Sequence, residues 1–263
     1  MITQPALPPL QAAPPDLIPG IHNYCDLWCE RCPLTARCRS FQVQHANGSS
    51  NEANPNASLV HQLTEALNMT KCYVETLHRQ QRLSSSDTPT LEEQQRLEAQ
   101  VVTKRSLAKE HPASRLALAY LTQTGTWLAH ERGMLERAGK RQLRNIDLGI
   151  QEEGDAMIVL NTLKEAYDQI RWYRTLIPVK TTSALRLVDE PTNDESLLDY
   201  YNGKAKLVLV SINRSLVAWH TVLAFCPEKT DDLLDILITL SRLNTCIHTT
   251  FPKARAFQRP GLD

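Results

Sequence analysis

Four cysteines stand close together near the start of the chain and could bind a metal. They are Cys25, Cys29, Cys32 and Cys38, which fall within fourteen residues, whereas the other three cysteines are scattered. Thiolates are ligands of zinc and of iron–sulfur clusters, and short spacings let several of them reach one site. The segment therefore predicts a metal site whose ligands are these four cysteines.

Burial in a core is the competing interpretation, because an unmodified cysteine behaves as a small apolar side chain. Asp, Glu and Arg residues flank these cysteines in the string CDLWCERCPLTARC. Charged residues are seldom fully buried, so a core does not explain thiols crowded among charges. The pattern favours ligands. The scattered cysteines, Cys72, Cys226 and Cys246, lack this pattern and are interpreted as core residues.

Zinc and an iron–sulfur cluster place different demands on the segment. On a helix, Cys25, Cys29 and Cys32 would share one face, but they would extend over about 10 Å. Thiolates on one zinc ion lie about 4 Å apart, so zinc requires this segment to form a loop. An iron–sulfur cluster has several iron corners, and its ligands can lie farther apart. We favour a [4Fe-4S] cluster and keep zinc as the alternative.

The string Cys29-x2-Cys32-Pro33-x4-Cys38 resembles the clusters that hold [4Fe-4S] in Cas4/RecB-type nucleases and in the auxiliary domains of radical-SAM maturases. In that resemblance Cys25 supplies the fourth ligand. The chain shows neither the Asp…Glu-x-Lys pattern of the nuclease core nor the βα barrel of the radical-SAM enzymes. The string is also similar to the opening of uncharacterised bacterial proteins that pair such a cluster with a helical body. The resemblance implies a ligand and no particular activity.

Four cysteine ligands would leave no open iron corner for a substrate. Electron transfer, sensing or a structural role is therefore favoured over substrate chemistry at the cluster. We expect Trp28 and Leu34 to shield the cluster. We also expect Arg31 and Arg37 to offset the negative charge of four thiolates. A zinc-stapled scaffold protein is the alternative function.

Carboxylates and histidines in the helical part of the chain suggest a second metal hypothesis. Di-iron bundle proteins place Glu-x-x-His pairs and single Glu residues inward from four helices. This chain has one such pair, Glu75 and His78, with His130 and Glu131 farther along. The second Glu-x-x-His is missing, so a di-iron oxidoreductase is only a further alternative.

A locally basic stretch lies between residues 132 and 144. Its members are Arg132, Arg137, Lys140, Arg141 and Arg144. Cations near a helix C-terminus complement the helix dipole, and contact with phosphate or nucleic acid is the functional alternative. Because Glu131 and Glu136 dilute the stretch, we do not expect a nucleic-acid partner.

Composition excludes several classes of protein. Of 263 residues, 42% are hydrophobic and 22% charged, which is the balance of a globular chain. Lys plus Arg and Asp plus Glu number 29 each, so no charge excess favours nucleic acid or an acidic membrane. Only 9 glycines are present, which disfavours a nucleotide-binding α/β enzyme with glycine-rich phosphate loops. We expect a protein partner and leave the oligomeric state open.

Residues 1–19 are proline-rich and contain no Lys or Arg. They therefore lack the basic start and apolar core of a secretory signal. No apolar run approaches the length of a membrane span. These observations predict a cytoplasmic protein that does not contact a membrane.

The fold class follows from hydrophobic periodicity. Apolar residues recur at three- and four-residue steps, as on one face of a helix. The stretches are 59–77, 91–108, 116–135, 156–177, 209–223 and 233–243. Thr90 and Glu93 resemble a capping box, and Pro112 should end or kink a helix. We predict an all-α bundle of five to seven helices with a small N-terminal cysteine-rich metal-binding module.

Five regions follow from these patterns. They are an extended proline-rich arm (1–20), the four-cysteine metal module (21–40), a polar linker (41–56), the helical bundle (57–250) and a basic tail (251–263).

Overall fold

The computed structural model of this chain describes residues 16–46, 90–186 and 194–263. Within these ranges it contains eight α-helices and no β-strand, which confirms the predicted all-α class. The helices are α1 (Ile21–Tyr24), α2 (Arg39–Ala46), α3 (Leu91–Glu110), α4 (Pro112–His130), α5 (Met134–Asp147), α6 (Glu153–Leu185), α7 (Glu195–Phe225) and α8 (Thr230–Thr250). Eight exceeds the predicted five to seven, because two short helices lie in or beside the cysteine-rich segment.

Part of the prediction falls outside the described residues. The predicted helix over 59–77 lies there, together with Glu75, His78 and Cys72. So do residues 1–15 of the predicted arm and residues 47–56 of the predicted linker.

The described residues divide into two compact units. The first comprises residues 16–22, 27–46 and 90–98. The second comprises residues 23–26, 99–186 and 194–263. The short segment Asn23–Asp26, which contains Cys25, therefore belongs to the same unit as the long helices.

Four helices of the second unit form a bundle. Helix α6 packs on α7, α7 on α8, α8 on α4, and α4 on α6, so that each of the four has two neighbours. This is the arrangement of a four-helix bundle. Helix α5 packs against α6.

The apolar stripes predicted for α6, α7 and α8 face the core of this bundle. Their buried members are Ala156, Leu163, Ile170, Tyr173, Ile177, Leu209, Ile212, Trp219, Leu233, Leu240 and Leu243. Burying one large apolar side chain contributes about 1.5–3 kcal/mol, so these stripes supply much of the free energy of folding. Periodicity identified these faces because each helix buries only one side.

A buried polar contact joins α4 to α7. The Tyr120 hydroxyl lies 2.5 Å from the Ser215 hydroxyl, and Trp219 Nε1 donates to the Tyr120 oxygen at 3.5 Å. All three residues are buried. Because a buried hydroxyl without a partner is costly, this contact favours one register of the two helices.

The predicted helix boundaries at 90 and 112 are confirmed. The backbone N–H of Thr90 donates to the Glu93 carboxylate at 2.8 Å, and the Glu93 N–H donates to Thr90 Oγ1 at 3.2 Å. This reciprocal pair is the predicted capping box of α3. Helix α3 ends at Glu110, and Pro112 takes the first position of α4, where its missing N–H costs nothing.

The stretch 116–135 forms two helices instead of one. Helix α4 ends at His130, where the Glu131 N–H donates to the Trp127 carbonyl at 2.9 Å, and α5 begins at Met134. The Glu131 side chain is held by two cations, Arg137 and Lys229. This tertiary contact favours a turn at a point where the apolar period alone predicted a continuing helix.

The stripe predicted over 91–108 is not buried. Leu91, Leu97 and Val101 are 71%, 54% and 46% exposed, and Ala108 is the buried member of this stripe. The predicted helical period is confirmed here, and most of its apolar face is exposed.

Helix α7 is a long and apolar core helix. By length and composition it is the one helix among the described residues that could cross a membrane, and half of its most apolar window is buried. Core helices of bundles share these properties, so the finding is weak evidence for a membrane span.

The predicted tail is part of the second unit and packs within it. Within residues 251–263, Phe251 and Ala254 are buried. Arg259 is 6% exposed and donates to the Asp263 carboxylate at 2.7 Å, and Lys206 Nζ donates to the Arg255 carbonyl at 2.7 Å.

Candidate metal centre

The cysteine-rich segment forms turns in place of a continuous helix. Two 3₁₀ turns, Cys29–Arg31 and Thr35–Arg37, follow one another, and each is closed by the N–H of the next cysteine. The Cys32 N–H donates to the Cys29 carbonyl, and the Cys38 N–H to the Thr35 carbonyl, both at 3.2 Å. In a 3₁₀ turn, residues three apart lie on the same side, which favours convergence of the Cys29 and Cys32 side chains.

None of the four clustered cysteines belongs to the buried core. Cys25, Cys29, Cys32 and Cys38 are each half-buried. They are also absent from the residues that pack against the core cluster, which weakens the core interpretation. Cys226 and Cys246 are also half-buried but pack against the bundle core, and burial raises the pKa of both thiols.

Hydrogen bonds within the first unit hold the turns in place. The Ile18 N–H donates to the Arg37 carbonyl at 3.0 Å, and Arg37 Nε donates to the Asp16 carbonyl at 2.9 Å. Gln42 Nε2 donates to the Ala36 carbonyl at 2.7 Å. The segment 16–18 of the predicted arm is thus paired with the second turn. Arg37, expected only as a charge balance, also has this structural role.

Trp28, which precedes Cys29, and Arg31, which precedes Cys32, contact one another. The Arg31 guanidinium lies over the Trp28 ring, 4.0 Å from its centroid, in a cation–π contact. Trp28 and Leu34 are half-buried. The predicted shielding and charge-balancing roles of these residues remain predictions.

Leu27 has an unusual backbone conformation. Its φ is +60°, in the left-handed region that side chains rarely adopt, and it is 47% exposed. A non-glycine residue in this region costs about 1–2 kcal/mol. Such local strain is typically kept at functional positions.

Asp26, next to Cys25, is anchored on two helices of the bundle. Its carboxylate accepts a 2.8 Å hydrogen bond from the Tyr173 hydroxyl and a 2.6 Å hydrogen bond from Arg214 Nη1. Its backbone carbonyl accepts from Trp172 Nε1 at 3.0 Å. The backbone that carries Cys25 is therefore fixed to α6 and α7.

The anchor keeps its protons at neutral pH. Burial, helped by the charge of the neighbouring Asp26 carboxylate and opposed by the Arg214 hydrogen bond, raises the pKa of Tyr173 to about 12. The tyrosine is therefore a neutral donor. Arg214 also donates to the Tyr173 hydroxyl at 2.9 Å, which closes a triangle of three side chains.

Aromatic packing of Tyr24 also holds the segment Asn23–Asp26 in place. The Tyr24 ring lies 5.1 Å from the Phe257 ring and 6.4 Å from the Tyr200 ring, measured between centroids. Gly203 on α7 makes room for it, since a Cβ there would lie 2.2 Å from a Tyr24 ring carbon. These contacts were not predicted, because their partners lie far apart in sequence.

The four predicted ligands remain predictions. Among residues 16–46, 90–186 and 194–263, no group of three or more His, Cys, Asp or Glu side chains is placed to hold a metal ion. Cys25 belongs to the second unit, and Cys29, Cys32 and Cys38 belong to the first.

The di-iron hypothesis gains no support from its described members. The Glu131 carboxylate is held by Lys229 Nζ at 2.8 Å and by Arg137, so both of its oxygens have cationic partners. His130 lies beside it in a surface cavity. The pair Glu75 and His78 lies outside the described residues.

The basic stretch splits into two sets of side chains. Arg137 and Arg141 line a cavity beside Glu131. Lys140 forms an exposed ion pair with Glu136 at 2.7 Å, and Arg132 and Arg144 are exposed. The helix-dipole interpretation does not explain why two of the five face a cavity.

Comparison of the chain with protein-family models, with curated proteins and with solved structures gave no match. The resemblance of the cysteine segment to known [4Fe-4S] clusters therefore stays a prediction from four residues and their spacing.

Proposed function

We propose that this chain is a metal-binding protein whose four clustered cysteines hold a [4Fe-4S] cluster. We further propose that it acts in electron transfer or redox sensing, through a protein partner. One observation carries the proposal: the four cysteines lie half-buried in a segment of turns, outside the core. Core packing does not account for thiols in this position.

The donor set fits the proposed group. Four thiols are soft ligands, which suit iron–sulfur clusters and zinc. Arg31 and Arg37 bring positive charge to a segment that would carry four thiolates. When bound, a [4Fe-4S] cluster exchanges single electrons, and four cysteine ligands leave no corner open to a substrate.

Zinc remains the second candidate, and one observation favours it. A single zinc requires the segment to curl into a loop, and the two 3₁₀ turns meet that requirement. In that case the cysteines would serve as a structural staple for a helical scaffold protein.

A sensing role is supported by the anchor of Asp26. Because Asp26 follows Cys25 directly and bonds to α6 and α7, a displacement of Cys25 on metal loss would reach both helices. Trp172 Nε1 donates to the backbone carbonyl of Asp26, so the fluorescence of this indole should respond to the displacement. In a Trp28→Phe background, tryptophan fluorescence should change when the metal is removed. The change should disappear when Trp172→Phe is added, which leaves Trp127 and Trp219 as the emitters.

Metal analysis of protein purified without oxygen tests the proposal. The wild-type chain should carry about four irons and four sulfides, with visible absorbance that dithionite bleaches. Cys32→Ser should lose the iron. Cys246→Ser is the matched control, because Cys246 is equally half-buried but lies on α8.

Each result has a defined meaning. About one zinc without colour would replace the iron–sulfur assignment by the zinc alternative. Equal metal content in wild type and Cys32→Ser would contradict both assignments, since neither group would then depend on the proposed ligands.

A further inference from the structure

A cavity lies at the end of the bundle where α4 ends and α5 begins, beside the turn that joins α7 to α8. Its volume is about 430 Å³. A second cavity of about 640 Å³ shares Trp127, His130, Glu131 and Lys229 with it. Ligand pockets commonly measure about 300–1,000 Å³, so the smaller cavity alone admits a small organic molecule.

Glu131 positions two cations at this cavity. It is 8% exposed, and one carboxylate oxygen accepts from Lys229 Nζ at 2.8 Å while the other accepts from Arg137. The Lys229 hydrogen bond, with the charges of Lys229 and Arg137, holds the pKa of Glu131 below its usual value. The same hydrogen bond raises the pKa of Lys229, so the carboxylate and the ammonium group both stay charged at neutral pH.

Arg141 is the third cation of the lining. It donates to the Phe225 carbonyl at 3.1 Å, which occupies one of its five donors. Arg137, Arg141 and Lys229 thus face the acids Glu131 and Glu228, which leaves the lining with one excess positive charge.

The adjoining cavity has the opposite character. Asp231, Asp232 and Asp235 line it, beyond the shared residues. An anion is therefore favoured in the smaller cavity and disfavoured in the larger one. This asymmetry assigns the charged end of a ligand to the side of Arg137 and Arg141.

Trp127 contributes an apolar ring surface to both cavities. The residue is 6% exposed and lines both cavities, yet its indole N–H has no hydrogen-bond partner among the described residues. An unsatisfied buried donor costs about 1–3 kcal/mol and calls for an explanation. This donor is enclosed by protein, so a ligand in the cavity would contact the face of the ring and not the N–H.

We propose that the cavity of about 430 Å³ binds a small organic anion through its carboxylate or phosphate group. Arg137, Arg141 and Lys229 hold the anionic oxygens. Trp127, Met134 and Ala138 contact the apolar part of the ligand. No residue of the cysteine-rich segment lines this cavity, so the result of its test does not depend on the proposed metal-binding function.

Calorimetric titration with benzoate and with phenyl phosphate tests the proposal, with benzamide as the neutral control. One or both anions should bind wild-type protein, benzamide should not, and added salt should weaken binding. The better of the two anions shows which head group the cavity prefers. The Trp127 indole N–H, assigned from Trp127→Phe, should be displaced in the NMR spectrum during the titration.

Arg141→Gln should weaken binding of the anion about tenfold, the loss expected for one charge-assisted hydrogen bond. Arg144→Gln is the matched control, because Arg144 is exposed on the same helix but does not line the cavity. It should change the affinity less than about twofold, within the usual effect of an exposed substitution.

Two results would overturn the proposal. The first is that neither anion binds wild-type protein at millimolar concentration. The second is equal weakening in Arg141→Gln and Arg144→Gln, which would indicate general charge attraction. If Arg141→Gln does not fold, Arg137→Gln decides: weaker binding supports the site, and unchanged affinity contradicts it.

Discussion

The Tyr173 hydroxyl donates a 2.8 Å hydrogen bond to the Asp26 carboxylate, across 147 residues of sequence. Tyr173 lies on the buried stripe of α6, and Asp26 directly follows the first clustered cysteine. Arg214 on α7 bonds to both partners. The peptide segment around Cys25 is thereby part of the bundle, whatever the chemistry of the four thiols.

Tyr173→Phe tests the strength of this anchor. Removing the hydroxyl deletes two hydrogen bonds to charged groups, so we expect a loss of about 1–3 kcal/mol in urea unfolding. Tyr167→Phe on the same helix is the control and should change stability by less than about 0.5 kcal/mol. Equal effects of the two substitutions would show that the anchor contributes nothing.

Alkaline unfolding provides a second readout of the same hydroxyl. The pKa of Tyr173 is raised by burial from 10.0 to about 12, so the folded protein retains a proton that the unfolded chain releases. Its contribution is complete below pH 10 and is lost as pH rises from 10 to 12. Between pH 10 and 12 the free energy of unfolding should therefore fall less steeply for Tyr173→Phe than for the wild type.

Glu131→Gln should make the protein less stable by about 1–3 kcal/mol at neutral pH, because Lys229 and Arg137 lose their shared carboxylate. The pKa of Glu131 is below its ordinary value of 4.5, so its contribution is complete above that pH and is lost as pH falls through the lowered pKa. The stability gap between variant and wild type should therefore narrow in acid.

Glu136→Gln is the control for this acid effect. Glu136 and Lys140 form an ion pair at 2.7 Å, but their side chains are 70% and 72% exposed. Exposed ion pairs contribute little to stability, so the free energy of unfolding of this variant should equal that of the wild type at every pH. A constant gap between Glu131→Gln and wild type down to pH 3 would contradict the assigned pKa shift.

Gly203→Ala should destabilise the protein by about 1–3 kcal/mol through overpacking. A Cβ at this position would meet Tyr24 at 2.2 Å and Phe257 at 2.8 Å. Gly139→Ala is the matched control, since nothing lies within 4 Å of its Cβ position on α5. Alanine is the better helix former, so this control should stabilise by about 0.5–1 kcal/mol in thermal or urea unfolding.

Removing the proposed metal with a chelator and a mild oxidant should lower the melting temperature of the wild type by about 5 °C or more, because the group binds the folded state alone. Cys246→Ser should respond in the same way. Cys32→Ser should show no response, since it lacks the group from the start. A response of Cys32→Ser equal to that of wild type would contradict the ligand assignment.

Much of the fold follows from local sequence signals. The stripe over 156–177 and the capping box of Thr90 and Glu93 both depend on residues within a few turns of each other, so periodicity and spacing found them. Contacts between distant residues left no such signal. The break of α4 at His130 depends on Lys229, which lies almost one hundred residues away.

The candidate sites show the same division. The four cysteines are visible as a pattern because their spacing is local. Tyr173 lies on the stripe that periodicity predicts, and its ring is buried, but periodicity does not predict the hydrogen bond of its hydroxyl to Asp26. Arg214 and Lys229 were not singled out at all, because a lone cation on a helix or turn carries no indication of its distant partner.

The anchor of Asp26 has a consequence for the order of events during synthesis. Arg214 is made 188 residues after Asp26. At about 5–20 residues per second, roughly 10–40 s of translation separate the two. During that interval the segment around Cys25 has been synthesised, but Arg214 of α7, which later holds it, has not. Any metal delivered to the nascent chain must therefore meet the cysteines before the helices that later fix them.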